Sequence, residues 1–176
     1  MSNNPFAKLA EVASFQVTSN DISEGLPLPP RHYSSGIEGG QDLSPHLKWS
    51  GAPEGTKSFA VTAYDPDAPT GSGLWHWAVI DIPADVTELP TGAGDEQGSG
   101  LPQGAMQLPN DVQLKRFIGA APPAGHGPHR YYFVVHALDV EKIGVGPNAT
   151  PALLGFTMQS HTLGRAVLMA TGETDK

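Results

Sequence analysis

The 176-residue chain holds 21 glycines and 17 prolines, more than a fifth of its length against a usual level of about 12%, and its longest stretch free of both runs only from residue 6 to 24, which excludes a helical bundle. An apolar fraction of 39%, spread along the chain, is enough for one core, so residues 1–176 read as a single domain rather than a disordered polymer. A net charge of −8 argues against nucleic acid and anionic membrane surfaces as partners, and the absence of cysteine removes disulfides, thiolate metal sites and a Cys nucleophile.

The opening residues, MSNNPFAKLAEVASF, lack a basic segment followed by an apolar run, and nowhere do 18 apolar residues follow one another. A cytoplasmic protein without stable membrane attachment is expected. A short turn is expected at 6–12 and a weak strand at 14–18, followed by another weak strand at 46–49. Segment 57–64, KSFAVTAY, alternates so that Phe59, Val61 and Ala63 share a face. Segment 75–82, WHWAVIDI, is apolar on both faces and suits a central strand. Strict alternation there puts Trp75, Trp77 and Val79 on one face and His76, Ala78, Ile80 and Ile82 on the other. Segment 91–104, TGAGDEQGSGLPQG, is too polar and glycine-rich to be buried and reads as a mobile loop. A weak strand at 114–119 precedes a strong one at 129–138, HRYYFVVHAL. Toward the end, Asn148 or Thr150 caps a first turn containing Pro151, and Leu163, Ala166, Val167 and Ala170 recur at helical spacing within 158–170. The fold class is mainly β, a sandwich or barrel with small peripheral helices.

Charge is uneven along the chain. Residues 1–100 carry 13 acids and 4 bases, and residues 101–176 carry 5 acids and 6 bases, so the second half is the better source of an anion site. Three segments could carry chemistry. Asp65-Pro66-Asp67-Ala68-Pro69 follows a strand, where two prolines stiffen the backbone and Asp side chains can bond nearby amides. Its plain reading is a turn, with Asp67 holding the turn and Asp65 at the strand end facing a cavity. His76 sits between Trp75 and Trp77, where a histidine is more often a satisfied core residue than a functional one. Segment 119–131, GAAPPAGHGPHRY, leads a Pro-Pro corner and flexible glycines into a strand. Alternation sends His129 and Tyr131 to one face and Arg130 to the other, which collects hydrogen-bond donors at one sheet end.

In this order and spacing, DPDAP at 65–69, WHWAVIDIP at 75–83 and GAAPPAGHGPHRY at 119–131, with SPHLKW at 44–49 upstream, resemble the phosphatidylethanolamine-binding protein family, also called Raf kinase inhibitor-like proteins. The short link 70–74 is similar to the bacterial branch. The resemblance implies a single-domain β-sandwich with a small anion pocket at one end, lined by Asp65, Pro69, His76, Ala121, Pro122, His129 and Tyr131. Ala121 stands where the family commonly has glycine, which narrows the mouth. His126 lies outside the matched set and reads as a loop residue. Imidazoles and a phenol can donate to phosphate oxygens. Asp65, which would repel an anion, either orients a histidine or accepts from a ligand's amine or protonated oxygen.

The expected function is binding of a small phosphorylated or otherwise anionic ligand such as a phospholipid head group, with a regulatory or kinase- or protease-inhibitor-like role implied by the family. Two other classes stay open. One is a hydrolase using the His and Asp groups, although the sequence has no GxSxG element or GxxxxGK[ST] loop. A metal is not expected, because His126 and His129 flank Pro128 without the i, i+4 helical spacing of HExxH motifs, and no cofactor is implied. The other class is a protein-interaction module that works independently of the pocket, with 152–170 as either a sheet-packing face or a homodimer contact.

Overall fold

The computed structural model describes residues 3–176. Its strands are β1 (Ala13–Ser14), β2 (Gln16–Thr18), β3 (Leu47–Ser50), β4 (Ser58–Asp65), β5 (Leu74–Pro83), β6 (Glu88–Leu89), β7 (Met106–Gln107), β8 (His129–Leu138) and β9 (Thr162–Gly172), with one helix, α1 (Pro151–Met158). Six strands form a sheet in the order β1-β9-β8-β4-β5-β7, and a second sheet of three runs β2-β3-β6. All pairs are antiparallel except β1 with β9. The three strong strands expected from alternation are all present, and β4, β5 and β8 are neighbours at the centre of the large sheet.

The main core lies between the sheets. Leu47, Trp49 and Leu89 of the small sheet meet Phe59, Val61, Trp77, Val79, Phe133 and Leu168 of the large one. The opposite face of the large sheet is covered in two ways. Ala60, Ala78, Ile80 and Leu138 lie beneath Leu154 and Met158 of α1. Farther along, Tyr64, Trp75 and Tyr132 lie beneath residues 3–9, with Phe6 edge-on to Tyr132 at 5.6 Å. No helix among the described residues is long and apolar enough to cross a membrane.

Four expectations are corrected. The segment 158–170 is not a helix but most of β9, whose burial alternates through Gly164, Ala166, Leu168 and Ala170. Its register is set by pairing with β8 from His129 to Leu138, and that ladder overrides the accidental helical spacing. The real helix ends at Met158, and Thr150 caps it by accepting from the Leu153 amide at 3.1 Å. Residues 114–119 form no strand. They run beside β5, held by Ile118 N donating to the His76 carbonyl at 3.1 Å and by Asn110, whose side chain bonds Val112, Leu114 and Arg116. Segment 91–104 is not a loose loop: Ala93 and Gly94 are buried, and Gly94 N donates to Ser44 Oγ at 2.8 Å.

The fourth correction positions the site. In pairing with β4, β5 carries two extra residues, because Ala63 and Tyr64 oppose Trp77 and Trp75, and Phe59 and Val61 oppose Ile82 and Val79. These are β-bulges, and each one resets which side chains share a face. Trp75 therefore packs at a tilt against Tyr64, with ring centroids 4.3 Å apart, on the outer face, while Trp77 enters the main core. His76, the extra residue between them, turns to the inner side beside Tyr131. The second bulge is built on Asp81 at φ +59°, and it returns Ile82 to the main core.

Candidate anion-binding site

The Asp-Pro-Asp corner closes the end of β4, and its two carboxylates have opposite roles. Asp65 Oδ1 accepts from the amides of Asp67 at 2.7 Å and Ala68 at 3.1 Å, so this side chain holds the turn. Its Oδ2 accepts from His129 Nδ1 at 2.7 Å, and both side chains are buried. Asp67, expected to hold the turn, instead forms a two-pronged pair with Arg130 at 2.8 Å on each prong and accepts from the Arg130 amide. The Arg130 bond holds the Asp67 carboxyl below its ordinary range, with burial opposing. His129, Arg130 and Tyr131 begin β8, and alternation separates them as expected: Arg130 faces outward and the other two face inward.

The inward groups converge. The rings of His76 and Tyr131 meet edge-on at 5.3 Å, and His129 lies on the other side of Tyr131 at 6.5 Å in a stacked orientation. His76 Nδ1 donates to the Ile118 carbonyl at 2.9 Å, and burial pushes its pKa down. The Tyr131 hydroxyl is buried and has no hydrogen-bond partner among the described residues; burial, with the Asp65 charge adding to it, pushes its pKa up. Gly172 makes room for this ring, since a Cβ there would lie 2.9 Å from Tyr131 Cε2. Gly119 lets the wall segment pass against Tyr33, because a Cβ would fall 2.2 Å from the Tyr33 carbonyl carbon.

These groups line a cavity of about 530 Å³. Of the seven expected residues, Asp65, Pro69, His76, Ala121, His129 and Tyr131 line it. Pro122 does not; it is buried, and Pro123 lines the cavity instead. The sequence reading missed the apolar wall formed by Leu74, Val112, Leu114 and Ile118. It also set His126 aside, yet His126 Nδ1 lies 2.7 Å from His129 Nε2 and extends the Asp65–His129 pair outward. The spacing His-x-x-His across a Gly-Pro turn was the signal for that contact. No group of three or more His, Asp or Glu side chains is placed to hold a metal ion among the described residues.

The sequence profile of the phosphatidylethanolamine-binding protein family matches residues 18–173. The chain belongs to that family. It is 54% identical over 159 residues to the UPF0098 protein YbcL of Escherichia coli, covering 89% of this chain and 86% of that protein. The UPF0098 protein YbhB of the same organism is 48% identical over 159 residues, covering 88% of this chain and 98% of that protein. The crystal structure of E. coli YbcL, described as a new member of the mammalian family, superposes with a TM-score of 0.89 at 51% identity, over 93% of this chain and 100% of that one. The family's β-rich fold is therefore the fold of this chain.

Proposed function

We propose that the protein binds a small phosphorylated or otherwise anionic ligand, with the anionic head seated between His76, His129 and Tyr131. The observation that carries this reading is the Tyr131 hydroxyl, a buried donor in the cavity wall from which no atom of the described residues accepts. An unpaired buried hydroxyl costs about 1–3 kcal/mol, and a ligand oxygen would recover it. His129, held by Asp65 on one nitrogen, presents its other edge toward the His126 side of the mouth. The apolar wall of Leu74, Val112 and Leu114 supports a ligand with an uncharged portion beyond its head. A hydrolase reading has less support, because His76 bonds a backbone carbonyl and His129 bonds an aspartate and a histidine, with no hydroxyl nucleophile among their partners.

Thermal unfolding with phosphate, phosphoserine or phosphoethanolamine tests the proposal. A ligand at about a hundredfold above its Kd adds about 2.7 kcal/mol of stability, a Tm rise of about 5–10 °C for a domain of this size. Tyr131→Phe should abolish most of that rise. No rise with any of the three ligands, or an equal rise in the variant, would overturn the reading.

A further inference from the structure

Part of the outer face of the large sheet is covered by a strap, residues 3–12, that precedes β1 and joins no strand ladder. Two guanidinium groups pin it: Arg130 Nη2 donates to the Asn3 carbonyl at 2.9 Å, and Arg165 Nη1 donates to the Ala10 carbonyl at 3.1 Å. Between these pins Phe6 reaches the Tyr132 ring. The cavity beneath, of about 530 Å³, is walled by Phe6, Tyr64, Trp75, Tyr132 and Val134. The polar side chains of its floor are spent within the protein, since the Tyr64 hydroxyl donates to the Ser72 carbonyl and Thr62 pairs with His136. That floor offers a ligand apolar and aromatic surface.

Charge enters from beside it. Arg165 lies opposite His136 in the β8–β9 ladder, and it lines a smaller cavity of about 380 Å³ that shares Phe6 and Leu9 with the larger one. Arg130 grips Asp67 with its Nε and Nη2, the edge of a guanidinium that matches a carboxylate. In Arg165 the same edge carries a buried Nε from which no atom of the described residues accepts. No carboxylate among the described residues pairs with Arg165, and burial pushes its pKa down with no neighbouring charge to offset it. The guanidinium stays charged all the same, and an unpaired buried donor is costlier when charged. Although the chain carries a net charge of −8, no Asp or Glu lines the larger cavity, and Lys8 does. Glu11 lines the smaller one without pairing with Arg165.

We propose that the outer face holds a second binding site, for an apolar carboxylate: the carboxylate accepts from the Nε edge of Arg165, and its hydrocarbon or aromatic body lies under the strap among Phe6, Trp75 and Tyr132. The two halves of the ligand answer the two halves of the site, a buried cation without a counter-ion and an apolar chamber next to it. Entry lifts the strap, which breaks two side-chain bonds to its backbone and no strand ladder. The site shares no lining residue with the inner cavity, so it stands or falls independently of the anion-binding reading above.

Calorimetric titration of the whole chain at pH 7 with octanoate and 1-naphthoate, each beside its uncharged alcohol, 1-octanol or 1-naphthalenemethanol, tests this and separates an alkyl from an aromatic body. At least one acid should bind at least tenfold tighter than its alcohol, the lower range of a charge-assisted hydrogen bond. Binding of neither acid, or a smaller preference in both pairs, overturns the proposal. Of the three tryptophans only Trp75 lines the cavity, Trp49 and Trp77 lying in the main core. The acid that binds should therefore change the tryptophan emission, and the change should vanish in Trp75→Phe; an emission that does not respond overturns the proposal. In Arg165→Met, which keeps an unbranched stem and removes the charge, the acid should bind no better than the alcohol, and an undiminished preference overturns the role of Arg165. Tyr131→Phe should leave the acid's affinity as it was, whereas loss of binding there would put the acid in the inner cavity and overturn the second site. If Arg165→Met does not fold, the acid-against-alcohol comparison and the Trp75 signal still decide.

Discussion

Two cavities of equal size, about 530 Å³ each, lie on opposite faces of the large sheet, and they differ in the state of their polar atoms. Beneath residues 3–9 the hydroxyls and imidazole are already bonded: the Tyr64 hydroxyl donates to the Ser72 carbonyl at 2.7 Å, and His136 Nε2 pairs with Thr62 Oγ1 at 2.9 Å. At the end of the inner face the buried Tyr131 hydroxyl has no partner among the described residues. Volume alone would rank the two equally. Unspent hydrogen-bonding capacity distinguishes them, because folding normally satisfies buried polar atoms and a cavity that keeps some unsatisfied offers a ligand something to complete.

The largest effect should come from Asp65, which serves both the turn and His129. Asp65→Ala leaves a buried histidine and two turn amides without their acceptor, and urea titration should show a loss of about 3–5 kcal/mol together with loss of phosphate binding. A loss below about 1 kcal/mol would mean the pair adds little to the fold. Next comes pH. His136 is buried with its pKa pushed down to about 3, burial being the main cause and the Arg165 charge adding to it. The unfolded chain takes up a proton near pH 6.5 that the folded chain refuses, so stability is full above that pH and falls as pH drops toward 3. Between pH 6.5 and 5 this group should remove about 1.5 kcal/mol. His136→Gln should flatten that part of the profile, and an unchanged slope would place the titration elsewhere. The smallest effect is the most discriminating. Tyr64→Phe removes a satisfied hydroxyl and should cost about 1 kcal/mol without touching phosphate binding. Tyr131→Phe removes an unsatisfied one and should leave stability level or slightly higher while binding is lost. Equal stability costs in the two variants would erase the distinction between the cavities.

Much of this was legible in the amino acids. The strands carrying Asp65, His76 and His129 announce themselves by apolar alternation between turn-forming residues, and six of the seven expected lining residues line the cavity. What escaped depends on pairing rather than on local pattern. In β9, Leu163, Ala166, Val167 and Ala170 fit a helix as well as a strand, and the β8 ladder decides between them. The wall at 110–118 is shaped by Asn110 side-chain bonds to Val112, Leu114 and Arg116, which leave no periodicity to read. Asp65 faces the cavity as expected, but it also holds the turn in place of Asp67, because both can cap a turn and only the position of Arg130 across the corner separates them. The inward turn of His76 required an extra residue in β5 that no single strand's pattern reveals.

That extra residue makes the site sensitive to the length of the chain as well as to its chemistry. Replacing a neighbour of His76 alters a contact, whereas deleting one residue between 74 and 77 would remove the bulge and restore strict alternation. With Trp75 deleted, the imidazole would take the place opposite Tyr64 on the outer face, and the cavity would lose His76 although every lining residue was still encoded. Insertions and deletions within this strand should therefore be far less tolerated than in the exposed turn at 146–148, and the count of residues from Asp65 to Trp77 is as much a part of the candidate site as the histidine it delivers.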